Sequence, residues 1–140
     1  MMRDRRGSAA IELAIVAPLL LTLLGGVLDV GFGLQEAMLA QNAAEAGALY
    51  AATHGWDAAG IEAAIVAAAP DSGIAATPPP SRFCGCATAN GIRETACGAR
   101  CSGGAAASYA EVDTSLAHWR IMPFDFMPDT LTGRSVVRLP

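Results

Sequence analysis

Lysine is absent from this chain. Its nine basic residues are all arginines, set against thirteen carboxylates, and the formal net charge is -4. A nucleic-acid partner needs a basic footprint, which this balance excludes. A phosphate-cradling loop needs a lysine, so Ser102-Gly103-Gly104 reads as a flexible turn. Charged residues make up only 16% of the chain and aromatics 6%. No C-x-x-C is present, which removes the usual redox motif. The two histidines, His54 and His118, stand alone, with no Cys, Ser or carboxylate constellation around them. The chain therefore reads as a non-enzyme with no metal site and no cofactor.

What is present is apolar sequence. Hydrophobic residues reach 53% and mean hydropathy is +0.39. A length of 140 residues has room for one small domain beside a membrane segment, and not for two full cores. From Leu13 to Leu28 no residue is charged. Extended back to Ser8, the run contains one ionisable group, Glu12. Its 21 residues give about 31 Å of helix at 1.5 Å each, enough to cross a bilayer core. Arg3, Arg5 and Arg6 precede the run. Positive flanks stay in the cytoplasm, so the remainder should lie outside the inner membrane. A secretory signal is the rival reading. It calls for a shorter apolar core and a small-residue cleavage site, and "LLGGVLDVG" offers no A-x-A pattern. Pro18 removes one backbone hydrogen bond, which membrane helices tolerate.

Helical periodicity continues past Asp29. Phe32, Glu36, Leu39, Ala43, Ala46 and Tyr50 fall three and four apart. Leu28, Met38 and Leu49 broaden this apolar face, and Gln35, Gln41, Asn42 and Glu45 supply a polar one. Alanine-rich sequence favours helix, which Gly31, Gly33 and Gly47 weaken. One helix is expected from about Ser8 to Thr53, ended by His54-Gly55. Asp29 reads first as a marker of the outer membrane-water boundary, and second as a contact for a partner subunit.

An arginine-rich tail, then G-S-A-A-I-E, then an apolar run resembles a prepilin processing site. The segments "PLLLTLLGGVLDVGFGL" and "AQNAAEAGALYAA" are similar to TadE-like proteins of the tight adherence (Flp) pilus system. The cysteine-containing middle and "TLTGRSVVRL" share the likeness, which is strongest from Arg5 to Ala52. The resemblance implies a pseudopilin or minor pilin cut by a prepilin peptidase between Gly7 and Ser8. Glu12 is then the fifth residue of the mature chain and acts in assembly. Other pilins or pseudopilins of the same machine, the peptidase and membrane lipid are the implied partners. Elementary chemistry agrees. Glycine leaves the backbone open to a peptidase. Cleavage creates an amine on Ser8, one helical turn from Glu12, and pairing lowers the desolvation cost of both charges. The plainer reading is that Glu12 snorkels to headgroups. An uncleaved single-pass protein with an outer domain for an envelope partner is the alternative function.

The expected division is a cytoplasmic leader (1–7), a transmembrane helix (8–28), its extracytoplasmic continuation (29–54) and a small α+β domain (55–140). In that domain "WDAAGIEAAIVAAAP" predicts a second helix. Asp57 is its N-cap, and Ile61, Ile65 and Val66 share its face. Pro78, Pro79 and Pro80 make a stiff connection. Four cysteines follow: Cys84, Cys86, Cys97 and Cys101. The C-x-C pair is too tight for a zinc knuckle, and an even count outside the cytoplasm favours two disulfides. A Cys84–Cys86 bridge would be strained, so pairing is expected between the two couples. The nested set, Cys84–Cys101 with Cys86–Cys97, is the first choice, with Asn90-Gly91 at a loop tip. Alternation predicts antiparallel strands from about Ser108 to His118 and Thr130 to Leu139. Val112, Thr114 and Leu116 share one face, and Gly133 is a bulge or bend. The connection "RIMPFDFMPD" is unusually apolar. Trp119, Met122, Phe124, Phe126 and Met127 either fill the core or form a contact patch.

Overall fold

The computed structural model describes residues 6–123 and 127–140, with side chains from residue 10 onward. Arg3, Arg5, Phe124 and Phe126 lie outside the described residues, as do the side chains of Arg6 and Ser8. A long helix, α1 (Arg6–His54), is followed by α2 (Ala58–Ala68). Seven strands come next: β1 (Ala75–Ala76), β2 (Ser81–Thr88), β3 (Gly91–Glu94), β4 (Arg100–Cys101), β5 (Gly104–Ala105), β6 (Ala107–Ala117) and β7 (Thr130–Arg138). The architecture is α+β, as the sequence predicts.

α1 runs unbroken through Pro18 for 49 residues, about 74 Å at 1.5 Å each. It stops at Gly55, whose φ of 82° suits a residue without a side chain and whose N–H bonds the carbonyl of Ala51 at 3.0 Å. α2 begins after Asp57, whose carbonyl receives the Ile61 N–H at 2.9 Å. Ile61 and Ile65, one turn apart, are fully buried against α1. Each contributes about 2 kcal/mol through burial. Val66 was expected on the same face but is 54% exposed. One residue past Ile65, it is rotated about 100° away from the contact.

The main sheet is antiparallel. β6 is its central strand, with β7 along one side; β1 and β2 pair successive parts of the other, and β3 lies beyond β2. The predicted pair is present as β6–β7, from Tyr109 opposite Arg138 to Ala117 opposite Thr130. Ala110, Val112, Thr114 and Leu116 are buried toward the helices. The other face carries Glu111 and Asp113, both paired with Arg134. The β2–β3 hairpin was not predicted. Its apolar positions are cysteine and glycine, so "SRFCGCAT" gives little alternation to read. Ala89 and Asn90 form its turn, with Gly91 already in the ladder opposite Thr88.

Three expectations are corrected by the packing of α1 on the sheet. The face that α1 buries is made of small residues: Ala40, Ala43, Ala44, Gly47, Ala48 and Ala51. The large residues of the predicted apolar face lie off that seam, with Met38 62%, Leu49 66% and Phe32 47% exposed. Small side chains let the helix backbone come down onto the strands. Gly133 is the closest point: it pairs regularly with Thr114, without a bulge, and a β-carbon there would lie 2.3 Å from the carbonyl oxygen of Ala40. Thr114 donates its hydroxyl to that same oxygen at 2.8 Å. Gln41, expected on the polar face, grips β7 instead. Its amide donates to the Arg134 carbonyl at 3.2 Å and accepts from the Arg134 N–H at 3.1 Å.

Candidate functional site

The N-terminal part of α1 is a bare helix. Gly7 and Ser8 fall in its first turn. Glu12 is exposed, as are Ile11, Leu13, Ile15, Leu19, Leu20 and Leu23 around it. None of its apolar stretch is buried within the protein. Apolar surface on this scale is stable only in lipid or against other protein. Ser8 and Glu12 are i and i+4 on a continuous helix, so an amine on Ser8 would sit one turn from the carboxylate.

Beyond Leu28 the helix has two sides. The alanine side carries the outer domain. The opposite side exposes Phe32, Leu34, Met38 and Leu49. A shallow groove there is lined by Phe32, Met38 and Leu39 with Gln35 and Asn42.

Between these zones lies a contact that the sequence did not reveal. The segment joining β6 to β7 folds along α1 below the edge of the sheet. Asp29 is fully buried there, and its Oδ1 accepts the Ile121 N–H at 2.8 Å; Oδ2 is buried without a hydrogen-bond partner. It is covered by the chain's own β6–β7 segment and is not open to a partner subunit. His118, read as a solitary histidine, donates from Nδ1 to Glu36 Oε2 at 2.5 Å. Both links join residues more than eighty positions apart. No local spacing signals them; the one sequence cue was a carboxylate in an apolar stretch.

The cysteines form two bridges, and the connectivity differs from the nested expectation. Cys84 joins Cys97, and Cys86 joins Cys101, with Cα separations of 5.1 and 5.6 Å. The hairpin register is the reason. Cys86 stands opposite Arg93 and Gly85 opposite Glu94, and the Thr95 N–H bonds the Cys84 carbonyl. The chain therefore leaves β3 at the Cys84 end, where Cys97 follows two residues later. The β4–β5 turn then carries Cys101 back to Cys86. Among the described residues, no group of His, Cys, Asp and Glu side chains is arranged to hold a metal ion.

At the top of α1 the Tyr50 hydroxyl donates to Asp57 Oδ2 at 3.3 Å. Partial burial pushes the phenol above its usual 10.0, and the Asp57 charge and this hydrogen bond push the same way.

Residues 7–49 match the family model described as TadE-like protein. The resemblance drawn from the N-terminal motif and the long helix is thereby borne out over that segment, which includes Gly7, Ser8, Glu12 and Asp29. No curated protein and no solved structure matches the chain.

Proposed function

We propose that this chain is a pseudopilin or minor pilin, a structural component in assembly of a tight adherence (Flp, type IVb-like) pilus, processed by a prepilin peptidase after Gly7. The observation that carries this reading is the TadE-like match over residues 7–49, on a helix that is bare and apolar at one end and capped by a folded domain at the other. That family is associated with the pilus machine and is structural rather than catalytic. The helix sits in the inner membrane with its arginine-flanked end in the cytoplasm. The disulfide-stapled domain lies outside, where oxidation is favoured.

Processing and assembly then follow from local chemistry. Gly7 has no side chain to obstruct a peptidase at the Gly7–Ser8 bond. The new Ser8 amine and Glu12 neutralise each other, within one chain or between neighbours, as the subunit enters the complex. The groove of Phe32, Met38 and Leu39 and the exposed Leu49 give neighbouring pilins an apolar surface that the chain's own domain leaves uncovered.

The deciding experiment is N-terminal sequencing of the protein from native membranes. A start at Ser8 is expected. A start at Met1 or Met2 would overturn processing and leave the uncleaved single-pass reading, with an outer domain for an envelope partner.

A further inference from the structure

Two residues of the segment between β6 and β7 meet α1 in or next to its apolar span. Met122 lies on Gly25, where a β-carbon would come within 2.7 Å of its sulfur, and Met127 lies on Gly33 in the same way. Gly25 is three residues inside the apolar span that ends at Leu28, about 4.5 Å along the helix. At this level α1 itself exposes Leu24, Val27 and Leu28. The segment leaves two apolar side chains exposed: Ile121, 42% exposed, whose N–H bonds Asp29, and Trp119, 75% exposed, next to His118, which bonds Glu36. Its one described cation, Arg120, is paired with Asp129.

We infer that Trp119 and Ile121 form a foot that seats in the lipid headgroup–acyl boundary on the domain side of the membrane. The inference rests on the reading of α1 as a bilayer span. Given that span, Ile121 lies at the level of Asp29, one residue past the apolar run, and Trp119, between the Asp29 and Glu36 contacts, lies at headgroup depth. Tryptophan is the residue that favours this depth, because its ring is apolar and its N–H finds polar headgroups. The bond from Ile121 N–H to Asp29 fixes the height of the foot on the helix. It also covers a carboxylate at the bilayer edge, where an uncovered charge is costly. Anchored at two points, the helix and the foot, the domain is restrained from rocking over the membrane surface.

The chain has two tryptophans, which makes the test direct. Trp56 follows the end of α1, about 40 Å further along the helix axis than Asp29. The full chain is placed in phosphatidylcholine vesicles with or without bromine at shallow acyl positions. Trp56→Phe leaves Trp119 as the reporter, and Trp119→Phe leaves Trp56. The wild type minus Trp119→Phe difference gives the same signal without altering Trp56. Carbonate-resistant flotation with the vesicles reports on the span. The expected result is flotation of all forms, a roughly twofold loss of Trp119 emission in brominated lipid for a ring at headgroup depth, and no loss for Trp56. Flotation with Trp119 quenched no more than Trp56 would overturn the foot and leave the span intact. Shielding of Trp119 from aqueous iodide without quenching by lipid would assign the surface to a protein partner, and would also overturn it. Failure to float would remove the span and the foot together.

Discussion

Replacing Gly133 with alanine adds one methyl group at the tightest contact between helix and sheet. That carbon would lie 2.3 Å from the Ala40 oxygen, 2.5 Å from the Ala40 carbonyl carbon and 2.7 Å from the Gln41 α-carbon. All three are backbone atoms of α1, so no rotamer change relieves the overlap. Helix and strand must separate by about 1 Å to restore van der Waals contact. Overpacking of this kind costs about 1–3 kcal/mol. The separation also stretches three hydrogen bonds: Thr114 to Ala40, and the two between Gln41 and Arg134. Each is worth about 1 kcal/mol net. Partial loss brings the total to roughly 3–5 kcal/mol, a large share of the 5–15 kcal/mol of a typical domain. Denaturant unfolding of the full chain in detergent, followed by near-ultraviolet circular dichroism, measures it. Gly103→Ala is the control, since nothing lies within 4 Å of a β-carbon there. It should stay within about 0.5 kcal/mol of the wild type. If Gly133→Ala does the same, the close-approach argument for the small-residue face of α1 is refuted.

Other consequences can be checked independently. Glu12→Ala should leave membrane insertion intact and lower pilus output; normal pili on such cells would separate Glu12 from assembly. The double variant Cys84→Ser/Cys97→Ser should retain the Cys86–Cys101 bridge and show no free thiol, whereas Cys84→Ser/Cys101→Ser should expose two to a thiol reagent. The raised Tyr50 phenol means that the folded chain holds this proton more tightly than the unfolded one. Its contribution to stability is present below pH 10.0 and is lost as pH rises through the raised value. Ultraviolet titration of Asp57→Asn should therefore show Tyr50 ionising at lower pH than in the wild type.

Much of this fold was legible because it follows from periodicity. The uncharged run before Leu28 and the alternation of Val112, Thr114 and Leu116 are patterns a single strand or helix displays unaided. Gly55 and Asp57 mark their helix ends for equally local reasons. The failures all arise in tertiary contacts that local sequence does not display. Which side of α1 faces inward was read from hydrophobicity, but close helix–sheet packing selected size, so alanines and glycines won over methionine and leucine. The disulfide pairing depends on a hairpin register that glycine and cysteine conceal. The roles of Asp29, Glu36 and His118 arise only when the β6–β7 connection returns to a helix more than eighty residues earlier. The Gly7-Ser8 and Glu12 motif, on which the proposed processing rests, is visible in sequence because it is local to one helical turn.

The position of β7 has a consequence for how the protein is made. This strand follows every other described element in the chain, yet it lies directly on the first. Gln41 and Arg134 are 93 residues apart. While the chain is being synthesised, the alanine seam of α1 is in place but has no strand to cover it. Loop closure over such a separation is slow compared with helix formation. On the proposed reading the inserted helix acts as a fixed template on which the sheet condenses, and β6 and β7 close the domain late. Until they do, an apolar strip of α1 stands open. During this interval a chaperone, or the wrong neighbour, can compete for the subunit.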